Sequence, residues 1–169
     1  MDKDLPLIRK MRQGDADALE AFVERHYANI LRYCRAHTDD PMHAEDCAQE
    51  TFVRFFSALP AYRHYGKAAN FLYVIAANAC RDVFRQRRET PLEQLPETAA
   101  ADTGQLDTRL TVRAALSRLP DEVRETAILY FISEQKQADI ARILGIGLPL
   151  VKYRVRRARE ILSKELEGL

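Results

Sequence analysis

The run Asp139-Ile140-Ala141-Arg142-Ile143-Leu144-Gly145-Ile146-Gly147-Leu148-Pro149-Leu150-Val151 carries the sharpest structural signal in the chain. Ala141 is small where two helices would cross closely, Gly145 suits a tight turn, and Ile146 and Val151 can fill the space between. That is helix-turn-helix spacing. The second helix is expected from Leu148 to about Glu165. Its inward residues are Val151, Val155, Ala158 and Leu162, leaving Lys152, Tyr153, Arg156, Arg157 and Arg159 outside or on the flanks. Lys152 to Leu169 holds six cationic residues against three acidic ones. The cations crowd into the first half, where a recognition helix meets base edges and phosphates. A charged, solvated terminal helix is the plain alternative, and the turn pattern ahead of it weighs toward nucleic acid.

Outside this run, period-3.6 apolar spacing recurs and strand-type alternation is absent, so an all-α fold is expected. Leu110, Ala114, Leu116 and Leu119 mark a short helix, and Pro120-Asp121 opens another carrying Val123, Ala127, Ile128, Tyr130 and Phe131. With the turn motif this predicts a four-helix domain over residues 109–169. Ahead of it, residues 89–108 contain five acidic residues, no basic one, two prolines and the small run Thr98-Ala99-Ala100-Ala101. This is the composition of a flexible acidic linker. Residues 1–88 then form a first small helical domain.

That domain opens with Leu5 to Arg12, then Gly14-Asp15 and a long amphipathic helix whose core face is Leu19, Phe22, Val23, His26, Tyr27, Ile30 and Tyr33. Asp40-Pro41 joins an N-cap acid to a proline at the first helical position, so a helix starts there and runs to about Leu59. Ala44, Cys47, Ala48, Thr51, Phe52, Phe55, Phe56 and Leu59 take its buried side. Asp46, Gln49, Glu50 and Val53 share an outward stripe. Its composition suits a solvated acidic face, while the apolar Val53 in its middle suits a protein partner.

Ala61-Tyr62-Arg63-His64-Tyr65-Gly66-Lys67 interleaves aromatic and cationic groups. Tyrosine rings can stack on unpaired bases while arginine and lysine hold phosphates. A surface loop with two anchoring tyrosines fits the same residues. A helix from about Asn70 to Arg88 follows, ending in Arg81, Arg85, Arg87 and Arg88, cations that also suit a last turn.

The net charge is only +1, so attraction to nucleic acid must come from local patches. No apolar run approaches the roughly 20 residues that span a bilayer, and Met1 to Pro6 lacks a signal pattern. A cytoplasmic chain without membrane insertion is expected. Cys34, Cys47 and Cys80 form no C-x-x-C pair and read as buried reduced thiols. Cys34-x-x-His37 and His43-x-x-x-Cys47 have spacings that could close a zinc site. Core packing explains both cysteines without one, and no metal or cofactor is expected. No acid–base pair, nucleophile arrangement or phosphate-cradling glycine loop stands out, so the chain does not read as an enzyme.

With these residues in place the chain resembles the extracytoplasmic-function (ECF) class of sigma-70 family sigma factors along nearly its whole length. Ala44-Glu45-Asp46-Cys47-Ala48-Gln49-Glu50-Thr51-Phe52 is similar to the family's polymerase-binding helix. Phe71-Leu72-Tyr73-Val74-Ile75-Ala76-Ala77-Asn78, with Asp82 and the arginines, resembles its helix at the promoter's minus-ten element. Leu116 to Pro120, Asp139 to Ile146 and Val151-Lys152-x-Arg154-x-x-Arg157-Ala158-Arg159 look like its minus-thirty-five reader. Each is short, and their order and spacing together are specific.

The resemblance implies a transcription initiation factor that binds core RNA polymerase, selects promoter DNA and is held in check by an anti-sigma factor. It implies that Asp46, Gln49, Glu50 and Val53 meet the largest polymerase subunit. It implies that Tyr62, Arg63, Tyr65 and Lys67 capture a flipped minus-ten base, with Asn70, Asn78, Arg81 and Arg85 beside it. Lys152, Tyr153, Arg154, Arg156 and Arg157 would contact the minus-thirty-five duplex. The chain departs from the family's usual residues at Ala68, Phe71, Val74 and Ala77, which implies reduced or differently shared minus-ten contacts, and at Glu134, Lys136 and Pro149-Leu150, so base preference does not carry over in the reader domain. A stand-alone regulator would pair such a turn motif with a strand-bearing sensor domain, and the first block shows no strands. A helical adaptor that binds only proteins would lack salt-dependent DNA affinity.

Overall fold

Two helices of the first unit open on aspartate side chains. The structure, a computed structural model, describes residues 2–64, 66–89 and 111–167. Helix α1 (Leu5–Arg12) is followed by Gly14 at φ 85°, a left-handed turn that favours glycine. The Asp15 carboxylate accepts from the amides of Asp17 (3.0 Å) and Ala18 (3.2 Å) to open α2 (Ala16–Arg35). Asp40 accepts from the Met42 amide (2.9 Å) at the head of α3 (Pro41–Ala58), whose first position is the expected proline. A tight turn over Leu59–Ala61 follows, then α4 (Ala68–Glu89).

Helices α2, α3 and α4 pack against one another, and α1 lies on α2. Phe22, Ile30, Tyr33, Phe55 and Leu72 fill the space between them, with the Phe22 and Phe55 rings stacked at 4.8 Å. Leu19, expected in this core, is exposed instead. The buried stripe begins one residue earlier, at Ala18, and a one-residue step turns a side chain by about 100°. Cys34, Cys47 and Cys80, one from each helix, are buried and reduced and turn toward one another. A thiolate at Cys47 would accept hydrogen bonds from Cys34 and Cys80, which lowers its pKa; the contact with Cys47 pushes the Cys34 thiol up, and contacts with Cys34 and then Cys47 push the Cys80 thiol up. Among the described residues no group of three or more His, Cys, Asp or Glu is placed to hold a metal ion.

In the second unit residues 111–117 form α5. Helix α6 (Asp121–Ala127) runs on into a wider π-helical turn, Ile128–Ile132, where the Ser133 amide donates to the Ile128 carbonyl at 2.9 Å. Arg124 of α6 donates to the carbonyls of Leu116 (2.9 Å), Ser117 (3.1 Å) and Leu119 (2.8 Å). It thereby ties α6 to the carbonyls at and just beyond the end of α5. Helices α7 (Gln137–Leu144) and α8 (Leu148–Glu167) are joined through Gly145 at φ 65°, and the Ile146 amide donates to the Ala141 carbonyl at 3.0 Å. Ile140, Val151, Val155 and Ala158 are buried where α8 meets α6 and α7. Ile146 is only half-buried.

The fold is all-α, with no strand among the described residues. These residues fall into two compact units, one on each side of residues 90–110. The second has four helices, α5 to α8, with the helix-turn-helix at α7–α8. The expected linker lies outside the described residues, apart from Glu89 at the end of α4.

Candidate functional site

Asp46, Gln49, Glu50 and Val53 recur at helical steps, so α3 brings them to one face. This face meets Asp82, Val83 and Gln86 of α4 along an open groove of about 450 Å³ that Arg54 also lines. Arg54 ties the two helices together: its Nε lies 2.9 Å from Glu50 Oε1 and its Nη1 2.8 Å from Asp82 Oδ2. The hydrogen bond to Glu50, then the contact with Asp82, raises the Arg54 pKa. Val53, at 57% exposure, is an apolar centre between acidic groups. The Glu50–Arg54 pair is a four-residue step that sequence can reveal, whereas Asp82 reaches the groove only through the packing of α4 on α3.

The segment before α4 divides the expected minus-ten residues. Arg63 and Lys67 are exposed, as are Asn78, Arg81 and Arg85 along one side of α4, with Arg85 3.4 Å from Asp82. Tyr65 and the side chains of Arg87 and Arg88 lie outside the described residues. Tyr62 is only 9% exposed. Its ring stacks on Phe71 at 5.1 Å, meets Phe55 at 5.7 Å, and has the Arg12 guanidinium 5.9 Å from its centroid. Burial, then the nearby Asp2 carboxylate, raises its pKa. The packed ring of Tyr62 fits the anchoring reading of this loop. Asn70 is buried at the head of α4.

The chain's first residues hold this segment, and no sequence signal announced them. Asp2 Oδ2 accepts from the Ala68 amide at 2.8 Å and lies 3.2 Å from His64 Nε2. Arg12 donates to the carbonyls of Leu59 (3.4 Å) and Tyr62. Asp4 meets His26 Nε2 at 2.7 Å and Arg25 at 2.6 Å. Burial alone would raise the Asp4 carboxyl, but hydrogen bonds and charge from His26 and Arg25 outweigh it and hold the pKa below the usual carboxylate range.

On α8, Lys152, Tyr153, Arg156, Arg157 and Arg159 are exposed. The guanidiniums of Arg156 and Arg159 each lie 5.8 Å from a ring centroid, of Tyr153 and Phe131 respectively, and Arg157 is 3.5 Å from Glu160. Arg154 departs from the expected set. It turns toward α6, 3.4 Å from Glu122, with its side chain 15% exposed. Its helical phase places it beside the buried stripe, within the α6–α8 contact.

Two family models match: Sigma-70 region 2 over residues 22–90 and Sigma-70, region 4 over residues 109–162. The chain is 32% identical over 167 residues to the ECF RNA polymerase sigma factor SigD of Mycobacterium bovis, covering 90% of this chain and 79% of that one. The chain belongs to the ECF sigma factors. A further relative of this ECF sigma factor is SigW of Bacillus subtilis, 29% identical over 182 residues and 96% of each chain. Among solved structures, CnrH in complex with the cytosolic domain of CnrY has a TM-score of 0.82 at 25% identity, covering 98% of this chain and 97% of that one. The sigma factor RpoE of Bartonella quintana, in complex with the anti-sigma factor NepR, has a TM-score of 0.66 at 25% identity, covering 88% and 98%. Region 2 of this ECF sigma factor thus holds the α3–α4 groove, and region 4 holds the basic face of α8. Its α1 precedes the region 2 match yet packs on α2. Among the described residues no helix is long and apolar enough to cross a membrane.

Proposed function

We propose that this ECF sigma factor works as a promoter-specificity subunit: region 2 binds core RNA polymerase and holds the opened minus-ten strand, while region 4 reads the minus-thirty-five duplex. The groove between α3 and α4 is the observation that supports this most. Asp46, Gln49 and Glu50 share one face of α3 with the exposed Val53, and Asp82 of α4 lines the other side, the arrangement of an apolar anchor inside a charged rim that suits a basic protein surface. Arg63, Lys67, Asn78, Arg81 and Arg85 are exposed groups for the phosphates and bases of a single strand. Lys152, Arg156 and Arg157 do the same for duplex backbone.

No step is catalysed by the chain itself; polymerase performs the chemistry, and the place of action is the cytoplasm. CnrH and RpoE were each solved with a partner protein, named for RpoE as an anti-sigma factor. By that likeness, an anti-sigma protein that masks these surfaces is the proposed control. The test is transcription from sheared genomic DNA by bacterial core polymerase with and without the chain, mapping start sites. New starts should share an upstream sequence and vanish when Asp46, Gln49 and Glu50 are changed together. No new starts, with no co-elution of chain and core, would refute the reading.

A further inference from the structure

The first two turns of α8 present an apolar strip on a helix that is otherwise basic outside. Pro149 is exposed, Leu150 is 39% exposed and Tyr153 is 52% exposed. Leu150 and Tyr153 are three residues apart and so neighbours on one face. The inward face of the helix is already filled by Val151, Val155 and Ala158, so the strip is not core turned outward. Cations frame it: Lys152, Arg156 and Arg157 are exposed, and the Arg156 guanidinium stands 5.8 Å from the Tyr153 ring centroid. Such a strip complements a surface that is anionic at its edges and apolar at its floor. The DNA major groove has that character where thymine stands, because the C5-methyl is an apolar group among hydrogen-bonding edges. Both residues lie in the N-terminal part of the helix after the turn, from which base edges are reached.

We infer that Leu150 and Tyr153 read thymine through its methyl group, so that the minus-thirty-five element carries thymine where these two side chains enter the groove. The inference rests on the reading of α8 as the promoter-duplex helix. It makes the base preference of this chain one of apolar contact at Leu150 and Tyr153, with the cations beside them holding the flanking phosphates.

The test uses holoenzyme assembled from core polymerase and the full chain, on a promoter found by start-site mapping. Each thymine of the minus-thirty-five element is replaced singly by deoxyuridine, which removes the methyl and keeps every hydrogen-bonding group. Affinity should fall about fourfold at the positions these side chains reach, the weight of one buried methyl. The fall should vanish in Leu150→Ala and Tyr153→Ala, whose melting temperatures should match the parent because both sites are exposed. An unchanged affinity at every deoxyuridine, with promoter binding still dependent on Arg156 and Arg157, overturns the inference and leaves the promoter reading intact. Promoter binding indifferent to Arg156 and Arg157 overturns both. An unaltered deoxyuridine response in Leu150→Ala, with weaker hold by an anti-sigma protein, assigns the strip to a protein partner and overturns the inference alone.

Discussion

Replacing Arg156 by glutamine should weaken promoter binding about eightfold at 0.1 M salt. A cation that neutralises one phosphate contributes about 0.9 to the slope of log affinity against log salt, and across the tenfold range up to about 1 M that slope amounts to roughly eightfold. Arg157→Gln should flatten the slope by the same amount. Its guanidinium is 3.5 Å from Glu160, and an exposed pair of this kind is worth less than about 1 kcal/mol, so the loss in affinity should be slightly smaller. Arg154→Gln is the internal control, because that side chain is 15% exposed and 3.4 Å from Glu122; its slope should hardly change. The assay is anisotropy of a labelled promoter duplex titrated with holoenzyme over roughly 0.1 to 0.3 M salt. The reasoning is refuted if Arg154→Gln flattens the slope as much as Arg156→Gln, or if neither exposed arginine moves it.

Tyr62→Phe loses the 3.0 Å contact with His64 Nδ1 and should cost about 1 kcal/mol in urea unfolding. Tyr62→Ala also empties the space beside Phe55 and Phe71 and should cost about 3–5 kcal/mol; full stability with a defect only in promoter opening would return the ring to DNA. Asp4→Asn should cost about 1–3 kcal/mol near neutral pH. Because the folded pKa of Asp4 is lowered from 3.8, its contribution is complete above the unfolded value and lost as pH falls through the folded one. The gap between parent and variant should therefore close in acid, and urea midpoints at several pH values will show whether it does. Gly145→Ala meets no crowding at its Cβ, so the left-handed φ of 65° alone sets its cost, about 1–2 kcal/mol. An unchanged melting temperature would contradict that.

How far the candidate site could be read in advance varied from residue to residue. Asp46, Gln49, Glu50 and Val53 were legible as one stripe, because a helix repeats every 3.6 residues whatever it packs on. The groove they share with Asp82, Val83 and Gln86 was not, since it exists only where α4 lies on α3. Tyr62 and Arg63 looked alike as loop residues, yet one is buried and the other exposed, a difference made by Phe71, Phe55 and Arg12.

Local sequence governs whatever acts within one or two turns. Asp15, Asp40-Pro41 and Gly145 set helix ends through bonds to their own neighbours, and apolar periodicity set the buried faces of α3 and α8. Tertiary structure alone decided that Arg154 pairs with Glu122 while Arg156 stays exposed, and that three cysteines from separate helices share one site. It also decided that Asp2 and Arg12 hold a segment 66 and 50 residues away. Such contacts leave no periodic trace, because they depend on how whole helices come to rest against each other, and that depends on the packing of all their side chains at once.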